Sequence, residues 1–222
     1  MGIAEISLGG RVISLLATLM LVVQLLMVIQ RMLLTNVRLF ALQSLFLAGI
    51  AATVAFFNRA SHVYLVAGLI VVLKVVLLPW FLERLVKRVQ ITQEVSPLLD
   101  STTAMLLCGA FTLLGYVVAR PFASTERLGN NTLGVAIALL LMGFFLMINR
   151  RKAITQVLAL LSAENGLFLA AISLTTYGMP LVVELGIFFD LFVAVMVLGI
   201  LVYRIRESFA SIDVSRLNKL KG

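Results

Sequence analysis

Four ionisable side chains stand inside long apolar stretches of this chain: Lys74, Glu164, Glu184 and Asp190. Glu164 sits about halfway along an apolar run from Ile154 to Thr176. Wound as a helix, that run spans about 34 Å, enough to cross a hydrocarbon layer of about 30 Å. Glu164 then lies near the midplane, where an acidic side chain costs roughly 2.5–3.5 kcal/mol on insertion scales. Two readings compensate that cost. One is a protonated carboxyl hydrogen-bonded to a neighbouring helix. The other is a proton-relay carboxylate, the use that intramembrane ionisable groups suggest by default.

Asp190 lies about nine residues from the outer end of the next, antiparallel helix, and Lys74 about twelve from the outer end of the third. Counted at about 1.5 Å per residue, all three groups reach similar depth. Two acids and one base at one level suggest a polar path parallel to the membrane plane. Such groups exchange protons near neutrality when burial and mutual charge bring their proton affinities together. Glu184 is closer to the outer boundary, within reach of water, and is about 120° around the helix from Asp190. The alternative for Lys74 is a side chain that snorkels toward the interface marked by Trp80, Glu83 and Arg84. Against this, the interface is about 12 Å away along the helix, and Pro79 frees a backbone carbonyl near Val75, which predicts a kink beside Lys74. Asn165, Ser162 and Gln43 are candidates for hydrogen bonds between helices, where packing is their commoner use.

The elements that must hold these groups follow from composition. Of 222 residues, 62% are hydrophobic and 13% charged, against about 45–50% and 25% in soluble domains. The chain reads as an all-α polytopic membrane protein forming one integral membrane domain over residues 1–222. Seven charge-poor windows predict transmembrane helices at 12–30, 37–57, 62–82, 101–119, 131–148, 154–176 and 181–203, followed by a tail at 204–222. The longest connection runs from Glu83 to Asp100.

Arg11, Arg59, Arg120 and Arg127 fall on one side of these helices, and thirteen Lys and Arg residues on the other. The excess of basic residues marks the cytoplasmic side, so the N-terminus is expected outside and the C-terminal tail inside. The net charge of +8 is divided among short loops rather than gathered in a patch, which argues against nucleic acid as a partner. The single cysteine, Cys108, excludes an internal disulfide and a four-cysteine metal or iron–sulfur site. His62 falls at a predicted helix end. No glycine-rich phosphate loop or nucleophile–base pair is present, so the polypeptide by itself carries no bond chemistry and no metal.

Leu45-Phe-Leu-Ala-Gly-Ile50 echoes Leu167-Phe-Leu-Ala-Ala-Ile172. Each follows a basic turn and a polar pair, Gln43-Ser44 in one block and Glu164-Asn165 in the other. This divides the chain into two three-helix blocks with the fourth helix as a spacer.

Several of these segments together carry a resemblance. Glu164-Asn165-Gly166, Glu184-Leu-Gly-Ile-Phe-Phe-Asp190, Leu42-Gln43-Ser44-Leu45, Lys74-Val-Val-Leu-Leu-Pro79 and the tail Ile212-Asp213-Val-Ser-Arg-Leu217 with Leu220-Lys-Gly222 resemble the hydrogenase-4 component E family. The similarity extends over nearly the whole chain. Helices five to seven are also similar to the K subunit of complex I and to the C subunit of multi-subunit cation/proton antiporters. The K subunit's mid-helix glutamate corresponds to Glu164. Its second glutamate has no direct counterpart here, and Asp190 lies nearest.

The resemblance implies a subunit of the prokaryotic inner membrane, in a complex I-related hydrogenase, beside antiporter-like membrane subunits and indirectly the soluble hydrogenase arm. A Ni-Fe centre and iron–sulfur clusters are then expected in partner subunits, none in this chain. It further implies proton or sodium movement coupled to electron transfer, with Glu164, Lys74, Asp190 and Glu184 on the path and Asn165 and Gln43 in support. A subunit of a cation/proton antiporter and a purely structural membrane scaffold are the alternatives.

Overall fold

A computed structural model describes residues 3–58, 61–89, 97–122 and 132–174. Every regular element among them is helical. Helix α1 covers Ile3–Ile29 and α2 Leu33–Asn58. The next span is made of three parts in series: α3 (Ser61–Ile70), a π-helical segment (Val71–Leu77) and α4 (Leu78–Val89). Then come α5 (Ser101–Ala119), closed by a 3₁₀ turn at Arg120–Phe122, α6 (Thr132–Asn149) and α7 (Ala153–Leu174). Six of the expected spans are therefore present, each long and apolar enough to cross a membrane. The expected seventh helix and the C-terminal tail lie outside the described residues.

The third span runs on to Val89, beyond the window expected from hydropathy. The sequence placed Glu83, Arg84 and Lys87 in a connection; they form instead the last turns of α4. Charge alternation explains the difference. Glu83 meets Lys87 one turn along at 3.7 Å and Arg38 of α2 at 3.5 Å, while the Arg84 guanidinium lies 5.6 Å from the Trp80 ring centre. A helix end laced with such pairs persists past the hydrocarbon boundary. At the start of α5, Asp100 caps the helix by accepting from the Thr102 and Thr103 backbone N–H groups at 3.2 and 3.3 Å. The Thr103 hydroxyl also donates to it at 2.6 Å. That hydroxyl, followed by the Thr103 and Thr102 amides, holds the Asp100 carboxyl below its ordinary range. The cap is therefore in place above the usual carboxylate pKa and weakens as pH falls through the lowered one.

α2 is the hub of the packing, touching α1, α3, the π segment, α4 and α7. α6 and α7 are the most enclosed spans and lie very close together, while α5 is the most exposed. The close approach depends on two glycines. A Cβ at Gly143 would meet Ala163 at 2.6–2.7 Å, and one at Gly166 would meet the backbone of Leu140 and Ala136 at 2.8–2.9 Å. Between helices surrounded by lipid, close backbone packing replaces the missing hydrophobic drive. Gly143→Val should therefore force α6 and α7 apart, at a cost of about 1–3 kcal/mol. A lower melting temperature and yield of the purified protein would show it; an unchanged melting temperature would mean the contact is looser than this.

One basic residue counted among the loop charges has another place. Arg150 is 3% exposed, and its Nη2 donates to the carbonyls of Met27, Val28 and Gln30 at 3.0, 2.9 and 2.8 Å. Met27 and Val28 are in the last turn of α1 and Gln30 directly follows it, where carbonyls lack partners within the helix and a cation is favoured by the helix dipole. Arg150 ties the α6–α7 turn to the end of α1.

Candidate functional site

Lys74 sits at the centre of the π segment. The widening has a local cause. Pro79 has no N–H to offer and its ring crowds the carbonyl one turn back, and just before it the Leu78 N–H bonds the Leu73 carbonyl, five residues earlier rather than four. The expected kink beside Lys74 is realised as this π-helical stretch, a device common where a helix must re-aim a side chain. Lys74 does not snorkel to the interface. It is 1% exposed, and Nζ lies 3.5 Å from Glu164 Oε2 and donates to Asn165 Oδ1 at 3.1 Å.

Glu164, 4% exposed, and Asn165 are adjacent on α7. Neighbours on a helix differ by about 100° in direction, so the single ammonium, with three donors, reaches both from the side. Asn165 then carries the contact on to α2. Its Nδ2 donates to Gln43 Oε1 at 3.2 Å and to Ser44 Oγ at 3.1 Å. Gln43 Nε2 donates to Gln24 Oε1 on α1 at 2.8 Å. The Ser162 hydroxyl, one turn before Asn165, donates to Gln43 Oε1 at 2.9 Å or to Gln24 Oε1. All of these side chains are buried.

The site thus joins four spans: α1 through Gln24, α2 through Gln43 and Ser44, the third span through Lys74, and α7 through Ser162, Glu164 and Asn165. Glu164 is the middle residue of its span, Ile154–Leu174, and Lys74 is one residue before the middle of Val63–Lys87. In hydrocarbon each charge alone is expensive. Opposite signs at 3.5 Å, with an amide oriented on the ammonium, offset part of that cost. The polar pairs of the two sequence blocks, Gln43-Ser44 and Glu164-Asn165, are placed against one another where α2 meets α7.

Of the residues singled out in the sequence, the structure brings together Lys74, Glu164, Asn165, Gln43 and Ser162. Asp190 and Glu184 lie outside the described residues, so their positions relative to Glu164 are not part of this geometry. Gln24 was missed. Its signal was present as the one amide in the charge-free run Val12–Ile29, and uncharged polar residues in such runs point toward other helices. Among the described residues, no three His, Cys, Asp or Glu side chains gather closely enough to hold a metal ion.

The chain is 32% identical over 187 residues to the uncharacterized protein Rv0085 of Mycobacterium tuberculosis, covering 83% of this chain and 84% of that protein. It is 26% identical over 215 residues to hydrogenase-4 component E of Escherichia coli K12, covering 96% of this chain and 99% of that protein. The hydrogenase-4 component E of Shigella flexneri matches to the same extent. No family model and no solved structure matches the chain. Six membrane-crossing helices, a buried polar centre and a similarity that runs nearly end to end place this multi-pass membrane protein in one group: it belongs to the hydrogenase-4 component E family.

Proposed function

We propose that this chain is a non-catalytic membrane subunit of a complex I-related hydrogenase complex, and that its Lys74–Glu164 pair passes protons coupled to electron transfer in partner subunits. The single observation that carries the relay is an acid and an amine at 3.5 Å, buried at the middle of two spans. The chemistry is simple. A proton moving from Lys74 Nζ to Glu164 Oε2 neutralises both groups and so relaxes the cost of holding charge in the bilayer. A second proton arriving at the free amine, with release of the carboxyl proton on the other side, restores the ion pair. One cycle moves one proton across the pair, in either direction. Asp190 and Glu184, which lie outside the described residues, are proposed as further relay groups. Asn165 and Gln43 hold the ammonium in register.

The web of side-chain hydrogen bonds around the pair also favours a second reading, a static staple that fixes α2 against α7 and the third span. The two readings differ in what titrates. They are separated by substitutions that keep shape and remove charge, argued below.

The orientation proposed is N-terminus outside and C-terminus cytoplasmic, supported by the basic-residue asymmetry, which keeps its sign with Arg150 taken out of the loop count. A reporter fused after Gly222 should be active only in its cytoplasmic form; activity on the other face would reverse the assignment. Membership in the complex is tested by mild purification from the native membrane and mass spectrometry. Hydrogenase subunits and antiporter-like membrane subunits should co-purify. Recovery with cation/proton antiporter subunits and no hydrogenase subunit would refute it.

A further inference from the structure

The web around Lys74 leaves one buried donor unused. Gln24 Nε2 has no hydrogen-bond partner among the described residues, although the side chain is fully enclosed. A second unused polar atom, Asn36 Oδ1, lies nearer the α1–α2 and α6–α7 turns and is also buried. Buried polar atoms of this kind are rare and ask for an explanation, of which a bound water is the commonest.

Asn36 Oδ1 has a setting that fits one. Asn36, Arg150 and Thr155 line a small cavity together with Met27, Leu158 and Ala159. Its accessible volume is about that of one water molecule. Three polar groups surround it. The Asn36 carbonyl oxygen accepts, its own amide being engaged with the Gln30 carbonyl at 3.1 Å. The Thr155 hydroxyl oxygen accepts, its proton being given to the Lys152 carbonyl at 2.8 Å. The Arg150 side chain lines the cavity as well, with its Nη2 engaged by the carbonyls at the end of α1. Two acceptors in the wall of a water-sized cavity suit a buried water, which can donate to both.

The cavity is close to the web. Met27 in its wall is three residues after Gln24 on α1, and Leu158 is four residues before Ser162 on α7. Both separations amount to about one helical turn, ~5 Å, which one or two waters in line can bridge. The unused Gln24 Nε2 stands at the inner end of that gap and the unused Asn36 Oδ1 at the outer end.

We infer that Asn36, Arg150 and Thr155 hold the mouth of a water-filled proton path that enters between α1, α2 and α7 at the end bearing their turns and reaches Lys74–Glu164 past Gln24 and Ser162. The inference rests on the relay reading for its function, but not for its water site. Amides and hydroxyls on this route do not titrate; they order the waters that pass the proton. The basic-residue count assigns that end to the cytoplasm, so the pair would be loaded from the cytoplasmic side.

Two measurements on the intact complex test this. A cryo-electron microscopy map at water-resolving quality should show an ordered water within hydrogen-bonding distance of Asn36 Oδ1 and Thr155 Oγ1. A clear map without it overturns the site whether or not Glu164 relays protons. Thr155→Val keeps the shape of the side chain and removes the hydroxyl, whereas Thr155→Ser keeps the hydroxyl. At normal complex levels, Thr155→Val should slow coupled proton movement at least about tenfold, with an increased solvent deuterium isotope effect, and Thr155→Ser should not. If Glu164→Gln abolishes proton movement while Thr155→Val leaves it at the wild-type rate, the entry path is wrong and the relay stands. If Glu164→Gln has no effect, the relay falls, and with it the function given to the path.

Discussion

Glu164→Gln should reduce proton movement coupled to turnover by about two orders of magnitude, the scale on which a positioned acid–base group acts. Glutamine keeps the length of the side chain and one carbonyl oxygen near Lys74 Nζ, now 3.5 Å from Glu164 Oε2. It removes the only acid of the described site. Assembly should survive, because the substitution also takes a charge out of the bilayer. Glu164→Asp should retain part of the activity, since the proton is kept and drawn back by one methylene. In a static staple the order reverses: glutamine is tolerated, and aspartate, which pulls the oxygen away from the ammonium, is the worse of the two. Proton uptake by vesicles containing equal amounts of complex decides between these orders.

The second large effect concerns the other member of the pair. Lys74→Met removes the ammonium that faces Glu164 and donates to Asn165 Oδ1 at 3.1 Å. Breaking one side of a buried ion pair costs about 3–5 kcal/mol, because the remaining buried charge loses its opposite. The expected result is a marked fall in melting temperature and in assembled complex. The further substitution Glu164→Gln in the same chain should restore much of the loss, as removing both charges is far less costly than removing one. The double variant should assemble and move no protons. If Lys74→Met is as stable as wild type, or if adding Glu164→Gln lowers stability further, the two groups do not act as a pair.

Much of this architecture was legible from the chain because a bilayer restricts the choices. Apolar length alone located the spans that α1, α2, α5, α6 and α7 occupy. Lys74 and Glu164 were visible because charge inside such lengths is costly. What was not legible depended on which residues meet across the bundle. Arg150 in a basic turn has the pattern of a solvated charge, and nothing local shows that the last carbonyls of α1 lie within its reach. Gln24 carries no charge and no motif; its meaning comes from Gln43 and Ser162 on two other helices. The end of α4 was misplaced for another reason. Hydropathy ends a span where charge begins, whereas Glu83 and Lys87 continue the helix by pairing along it. The proline signal at Pro79 predicted a kink near Lys74, and the backbone there widens into a π-helical segment instead. The pairing of Gln43-Ser44 with Glu164-Asn165 gives the sequence echo a spatial meaning, since the two polar pairs meet at one contact.

The most direct test of the relay is to watch the Glu164 carboxyl itself. Infrared difference spectra of the intact complex, resting against turning over, report the protonated carboxyl stretch. A band that appears or disappears with turnover, shifts in deuterated water and is missing in Glu164→Gln is the predicted result. Spectra in which wild type and Glu164→Gln are identical throughout the carboxyl region would show that Glu164 keeps one protonation state, and would contradict a proton passing through the Lys74–Glu164 pair.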